Sequence, residues 1–270
     1  MVRIEKQICN ICPHRCVFTE EKPLGKCRVR GLNNPGYGNA IGFAVDPIEK
    51  KPFRNFQRGK RVLSVGPNGC NLHCTFCQNW QTSQKKSTTR YISPGKLAEL
   101  SMQTSDGVAF TYTEPTLWYE FILDTAPLVT AKNGIVVMVS NGYVNQKPLK
   151  DLISVTDAWN IDLKAFNNNF YKNICGGDLE TVKNSIKLVA SSSCHLELTW
   201  LLIPGLNDDP KQIAEAGRWI KNETGENTTL HVSRYFPTHL MDIPATPIQS
   251  VKDSVQLFRK FLKNVYAGNI

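Results

Sequence analysis

Apolar and polar positions along this 270-residue chain fall into two regimes that meet near residue 60. From Arg61 onward, short β-branched runs alternate with stretches whose apolar residues recur every three to four positions. These are the periods of buried strands and of one-faced helices. Strands are predicted at 61–65, 107–113 (GVAFTYT), 134–140 (GIVVMVS), 157–164 (DAWNIDLK), 195–204 (HLELTWLLIP) and 228–236. Helices are predicted between them. One spans 94–104, where Ser93-Pro94 offers an N-cap and a first-turn proline. The next, at 115–133, carries Trp118, Phe121, Ile122, Thr125 and Val129 on one face. Others lie at 146–155 and 178–191, then after Asp208-Asp209-Pro210, and finally around Val251, Val255 and Phe258.

Six strands alternating with six helices imply a parallel sheet with right-handed crossovers. Six units are too few for a closed eightfold barrel, so the expected fold is α/β, an open partial (β/α)6 TIM-like barrel over residues 61–270. Residues 1–60 are rich in Gly, Pro and Cys and show little periodicity. They are expected to form a small cysteine-rich metal-binding appendage. Parallel sheets present ligands at the carboxyl ends of their strands. The chemically distinctive residues fall there: Cys70 after the first strand, Glu114 after the second, Asn141 after the third, Asp162 and Lys164 ending the fourth, and His239 after the sixth.

Composition narrows the setting. No apolar run approaches the length of a membrane-spanning helix, and the N-terminal MVRIEKQICNICPHRC lacks the apolar core of a secretion signal. Seven of the nine cysteines form two metal-like groups, which fits a reducing cytoplasm better than a disulfide framework. The net charge is +9, yet Lys and Arg are dispersed, with only short runs such as Lys50-Lys51. A diffuse basic surface argues against a dedicated nucleic-acid groove.

The sharpest chemical signal is Cys70-x3-Cys74-x2-Cys77. Three thiolates on one tight loop hold three irons of a 4Fe–4S cube and leave the fourth open to a substrate, unlike an ordinary four-cysteine ferredoxin shell. The competing reading is a structural zinc loop with His73 as fourth ligand. The spacing, with Phe76 before the last cysteine, is similar to that of the radical S-adenosylmethionine (SAM) superfamily. A second group, Cys9-x2-Cys12-x3-Cys16-x10-Cys27, supplies four thiolates for either tetrahedral zinc or an auxiliary 4Fe–4S cluster. Cys175 and Cys194 have no close partner in sequence and read as buried small hydrophobes, although Cys175 lies in ICGG.

Beyond the cysteines, CQNW, YTEP, SNGY, DLK, LLIPGLND and RYFPTH resemble the activating enzymes of glycyl-radical proteins, of which the pyruvate formate-lyase activating enzyme is one. CNICPHRC, DPIEKKPF, TYTEPT and VYAGN are closer to the radical SAM member of the AmmeMemoRadiSam system; members of that group extend past VYAGN into a further cysteine-bearing segment, whereas this sequence ends at Ile270. The resemblance implies a 4Fe–4S cluster on Cys70, Cys74 and Cys77, with SAM on its open iron. It implies cofactor contacts from Phe76, Thr113, Glu114, Ser140, Asn141, Asp162, Lys164 and His239, with Lys164 facing the methionine carboxylate. Glu114 has an alternative use as a helix cap. Val139 stands where some activases carry Asp, so no contact is expected from that acid. His195 and His231 lie inside strands and read as structural.

The implied activity is reductive cleavage of SAM and hydrogen abstraction from a protein or other large substrate. An external one-electron reductant such as flavodoxin or ferredoxin would feed the cluster. No RVSGY-like motif is present, which makes the chain the activator and not the radical bearer. Two other readings remain at this stage: a radical SAM RNA-modifying enzyme, and a non-catalytic metal-stapled binding module.

Overall fold

The computed structural model of the chain describes residues 6–270; the first five residues of the expected appendage lie outside the described residues. Strands β1 (Gln7–Ile8) and β2 (Val17–Phe18) form a small antiparallel hairpin. The main sheet contains β3 (Asn39–Pro47), β4 (Arg61–Pro67), β5 (Arg90–Tyr91), β6 (Gly107–Phe110), β7 (Ile135–Ser140), β8 (Ala158–Asp162), β9 (His195–Leu202), β10 (Thr229–Arg234) and β11 (Asn264–Gly268). Their spatial order is β11-β10-β9-β8-β7-β6-β4-β3-β5. From β4 to β11 all pairs are parallel, each new strand joining beside the last, and the sheet does not close on itself. All six expected strands are present. A seventh parallel strand, β11, and the antiparallel β3 were not anticipated. NVYAG is too short to display a period, and NAIGFAVDP is half-buried and interrupted by Gly42.

Helices α2 (Pro94–Thr104), α3 (Tyr119–Thr130), α4 (Gln146–Ile153), α6 (Leu179–Ala190), α7 (Pro210–Thr224) and α8 (Ile248–Phe258) form the crossovers between the parallel strands. Two short elements complete the set, α1 (Trp80–Ser83) and α5 (Asn168–Phe170). Three of the longer helices begin where orphan N–H groups find a side-chain acceptor: Ser93 for α2, Asp178 for α6 and Asp209 for α7, with proline at the first turn of α2 and α7. Among the described residues no helix is long and apolar enough to cross a membrane.

Successive residues of a strand point to opposite faces, and the two faces of this sheet do different jobs. Leu198, Trp200, Leu202, Leu230 and Val232 point outward into the main core with the helices. The inner face is layered by the strand register. At its lower end Val62, Ala109, Val137 and Ala158 pack on Ile48 and Phe53, both fully buried. The next layer, Asn160, Glu197 and Thr229 in register, grips the same segment. Asn160 Nδ2 donates to Pro52 O (2.9 Å), Glu197 accepts from the backbone N–H groups of Arg54 and Asn55, and Asn55 Nδ2 donates to Thr229 Oγ1 (2.8 Å). Residues 48–55 therefore plug the amino end of the barrel. That corrects the expected division at residue 60: β3 and the plug belong to the barrel, and the segment that stands apart from the sheet ends before Asn39.

The N-terminal cysteine segment docks on the other end. Asn145 binds the backbone of Asn10 and Ile11, Arg28 donates to the carbonyls of Ser83 and Gln84, and Arg30 pairs with Glu120 of α3. Gly69 makes this approach possible. Its φ is +148°, and a Cβ there would stand 2.0 Å from the carbonyl oxygen of Cys27.

Candidate active site

β4 ends at Pro67 and delivers the loop bearing Cys70, Cys74 and Cys77 to the carboxyl end of the sheet. The loop is held from behind by elements distant in sequence. His73 N donates to Cys175 O (2.7 Å), Thr75 N to Ile174 O (3.1 Å), and Leu240 N to Thr75 O (2.9 Å). The two carbonyls at 174 and 175 belong to a widened helical turn, Tyr171–Cys175, which no periodicity announced. Asn71 ties the loop inward: its Nδ2 donates to Tyr143 O (2.6 Å), and its Oδ1 accepts from Asn141 Nδ2 (2.9 Å). Asn71 was missed at the sequence level, since a buried amide inside a cysteine loop carries no signature of its own.

All three cysteines line one cavity of about 630 Å³. The Cys70 sulfur accepts from Leu72 N and from Asn141 Nδ2, both at 3.4 Å, and Cys77 Sγ lies 3.1 Å from Ser83 Oγ. Donors are thus already aimed at the Cys70 sulfur, and a hydroxyl stands against that of Cys77. Without a metal the site disfavours thiolates. Burial pushes the Cys70 and Cys77 thiols up, and contact with Cys175 together with burial raises Cys74. A bound cation would supply the charge that holds the sulfurs deprotonated. Among the described residues no three His, Cys, Asp or Glu side chains converge closely enough to share one metal ion. A cube, which takes each sulfur at a separate iron corner, does not require such convergence. His73, the fourth ligand a zinc loop would need, is exposed and engages Gln84 Oε1 at 2.8 Å instead. The donor set fits a three-cysteine cluster.

The other expected site residues divide into two groups. Phe76, Thr113, Asn141, Asp162 and Lys164 line the cavity with the cysteines. Phe76 is 4% exposed and packs on Phe170, with the Lys164 ammonium 5.9 Å from its ring centre. Thr113 Oγ1 donates to Pro67 O (2.7 Å), and Tyr112 just before it holds φ +72°, a strained conformation that turns the strand end toward the cavity. Asp162 and Lys164 do share one face, as strand alternation requires, and are joined at 2.8 Å. Burial works against the Lys164 ammonium, but Asp162 and the neighbouring Cys74 outweigh it and hold its pKa well above the ordinary lysine value. Its backbone is fixed by Tyr171 OH to its N–H and by Asn207 Nδ2, which donates to its carbonyl (2.7 Å).

Glu114, Ser140 and His239 do not line the cavity. Glu114 is fully buried and accepts from Thr116 N (3.0 Å), Thr116 Oγ1, Ser140 Oγ (2.9 Å) and Asn141 N (2.8 Å). It is the cap of the turn after β6 and the clamp that sets the end of β7, so its reach to Asn141 is through the backbone. His239 stacks on Trp80 with ring centres 5.2 Å apart.

The second cysteine group folds into a common knot. Cys9, Cys12 and Cys27 are buried, Cys9 N donates to Cys16 O (2.8 Å), and the sulfurs of Cys16 and Cys27 accept from Lys26 N (3.5 Å) and Arg30 N (3.4 Å). Burial pushes the Cys12 thiol up to about 12.

Comparison with known proteins agrees with this geometry. The profile described as Radical SAM superfamily matches residues 65–217. An uncharacterized protein of Methanocaldococcus jannaschii is 38% identical over 97% of this chain and 81% of its own length. A pyruvate formate-lyase-activating enzyme of Clostridium pasteurianum is 24% identical over 73% of this chain and 88% of its own. The crystal structure of a domain of pyruvate-formate lyase-activating enzyme from Bacteroides vulgatus superposes with a TM-score of 0.54 at 19% identity, covering 60% of this chain and 99% of that one. At that identity the superposition speaks for the fold.

Proposed function

The chain belongs to the radical SAM superfamily and is an enzyme of that class, and on this premise we propose that it abstracts a hydrogen atom from a polypeptide substrate. The single observation that carries the reading is the cavity: three cysteine thiols, the Asp162–Lys164 pair and a large free volume share one chamber in a sheet that does not close. Bound there, a 4Fe–4S cluster and SAM supply a 5′-deoxyadenosyl radical, the hydrogen-abstracting agent of the family.

The chain's own residues hold and orient. Cys70, Cys74 and Cys77 are the proposed iron ligands, and Leu72 N and Asn141 Nδ2 disperse charge on the Cys70 sulfur. Lys164 would meet the SAM carboxylate, with Asp162 fixing its ammonium at 2.8 Å. Phe76, buried against Phe170, would shield a bound cluster from water. Thr113 and Asn141 present polar groups from the ends of β6 and β7, while Glu114 and Ser140 position them. Cys9, Cys12, Cys16 and Cys27 are the proposed ligands of a second centre. Their side chains do not converge on one ion among the described residues, which favours a cluster with separate iron corners over zinc, and loss of iron rather than zinc in a Cys12→Ser/Cys16→Ser variant tests this.

An open sheet edge admits a loop of a folded partner, and the related activating enzyme is named for acting on another enzyme. Anaerobic incubation of the reconstituted enzyme with SAM, reductant and candidate proteins tests this, read by mass spectrometry for a modified or cleaved backbone. Modification of a protein that depends on Cys74 supports the reading. Turnover of small molecules alone, with every protein unchanged, contradicts it.

A further inference from the structure

Part of the inner wall, on the β10 and β11 side, takes no part in the proposed cofactor contacts. His231 lies in register with Thr199 and Asp162 on one side and Tyr266 on the other, directly above the layer that grips the plug. It is 8% exposed and lines the same cavity as the cysteines. Its Nε2 lies 2.5 Å from Glu197 Oε2. Glu197 has no exposure and collects three further donors, His195 Nε2 (3.0 Å), Arg54 N (2.9 Å) and Asn55 N (2.7 Å). Burial opposes its charge, but these bonds pull its pKa down to about 2, so it is a carboxylate and can only accept. The His231 proton therefore sits on Nε2, and among the described residues Nδ1 has no hydrogen-bond partner. The Arg54 guanidinium lies over the Tyr266 ring at 5.3 Å and also lines the cavity. Among the described residues it has no ion-pair partner. The other rim charges are engaged: Glu49 accepts from Gly59 N (2.8 Å), and Lys50 pairs with Asp46 (2.9 Å).

We propose that this part of the chamber is an anion subsite that takes a carboxylate of the substrate, with the Arg54 guanidinium as its donor and Glu197, which accepts from Arg54 N (2.9 Å), as the positioning residue that fixes its backbone. A planar guanidinium matches a carboxylate with two parallel hydrogen bonds. Hydrogen abstraction by itself needs no such group, so the subsite serves recognition: it selects an acidic residue or terminus and presents the neighbouring atoms to the thiolate end of the chamber. This rests on the chamber reading above, but the test reads binding, so its failure is distinguishable from a failure of radical chemistry.

The probe is N-acetyl-L-glutamate, titrated calorimetrically into the anaerobically reconstituted enzyme, with N-acetyl-L-glutamine as the neutral isostere. The acid is expected to bind roughly tenfold or more tightly than the amide, the size of one charge-assisted hydrogen bond. Arg54→Gln is expected to abolish that preference with an unchanged unfolding midpoint, since Arg54 is exposed and its anchoring contact is through backbone. Arg54→Lys is expected to keep part of it. Equal affinity for the two probes, binding of neither, or a full preference in Arg54→Gln overturns the proposal.

Discussion

Lys164 condenses the electrostatics of the site into one side chain. Its ammonium is enclosed by Asp162, Cys74 and the Phe76 ring, and its backbone is locked at both N–H and C=O. Replacing it with Met keeps most of the stem and deletes the charge. SAM affinity measured by equilibrium binding is expected to fall roughly tenfold or more, with the cluster spectrum retained. Unchanged affinity would place the carboxylate elsewhere in the chamber. Glu197 offers a test through pH. Its pKa falls from 4.5 to about 2 on folding, so its contribution is fully present above pH 4.5 and is lost as pH drops toward 2. A shift of that size corresponds to about 3 kcal/mol. The stability gap between the wild type and Glu197→Gln in urea titrations is expected to be of that order at pH 6 and to shrink below pH 4.5. A pH-independent gap would mean that the carboxylate's charge is not what the two histidines read. Asp162 and Lys164 were legible in the sequence because alternation alone puts them on one face. Glu197 and His231 were not, because their meaning depends on a backbone segment more than 140 residues away that no local pattern connects to them.

The strands and helices were legible wherever a buried period ran for several residues. What escaped were elements whose reason is tertiary: β11, the turn at Tyr171–Cys175, and the plug. Residues 48–55 contain Pro, Lys, Arg and only two large apolar side chains facing inward, which reads as loop. In the fold, Ile48 and Phe53 have no exposure and fill the amino end of the barrel. Phe53→Ala is therefore expected to destabilise the whole cooperative unit by about 3–5 kcal/mol, read by the chemical-denaturation midpoint. A chain beginning at Arg61 is expected not to fold at all. A stable fold from that shorter chain, or a Phe53→Ala loss below about 1 kcal/mol, would restore the plug to a peripheral appendage.

At the scale of the whole molecule, an incomplete ring of parallel strands is sealed below by the plug and flanked above by the cysteine loop and the N-terminal cysteine knot. Asp162, Thr199 and His231 form one layer of the register, with Lys164 above it, and the loops after the neighbouring strands carry Phe76, Thr113 and Asn141 to the same chamber. The chemistry of that chamber rests on Cys70, Cys74 and Cys77 sharing one 4Fe–4S cluster. The most direct measurement compares the wild type with Cys74→Ala after anaerobic reconstitution, reading iron and sulfide content, the visible spectrum, and 5′-deoxyadenosine formed from SAM with reductant. Cys74 lies on the loop and not in the strands, so circular dichroism is expected to remain native. The account predicts a wild type that makes 5′-deoxyadenosine and a variant that loses one cluster's worth of iron and all of that product. A Cys74→Ala enzyme that keeps its iron and cleaves SAM at the wild-type rate would contradict it.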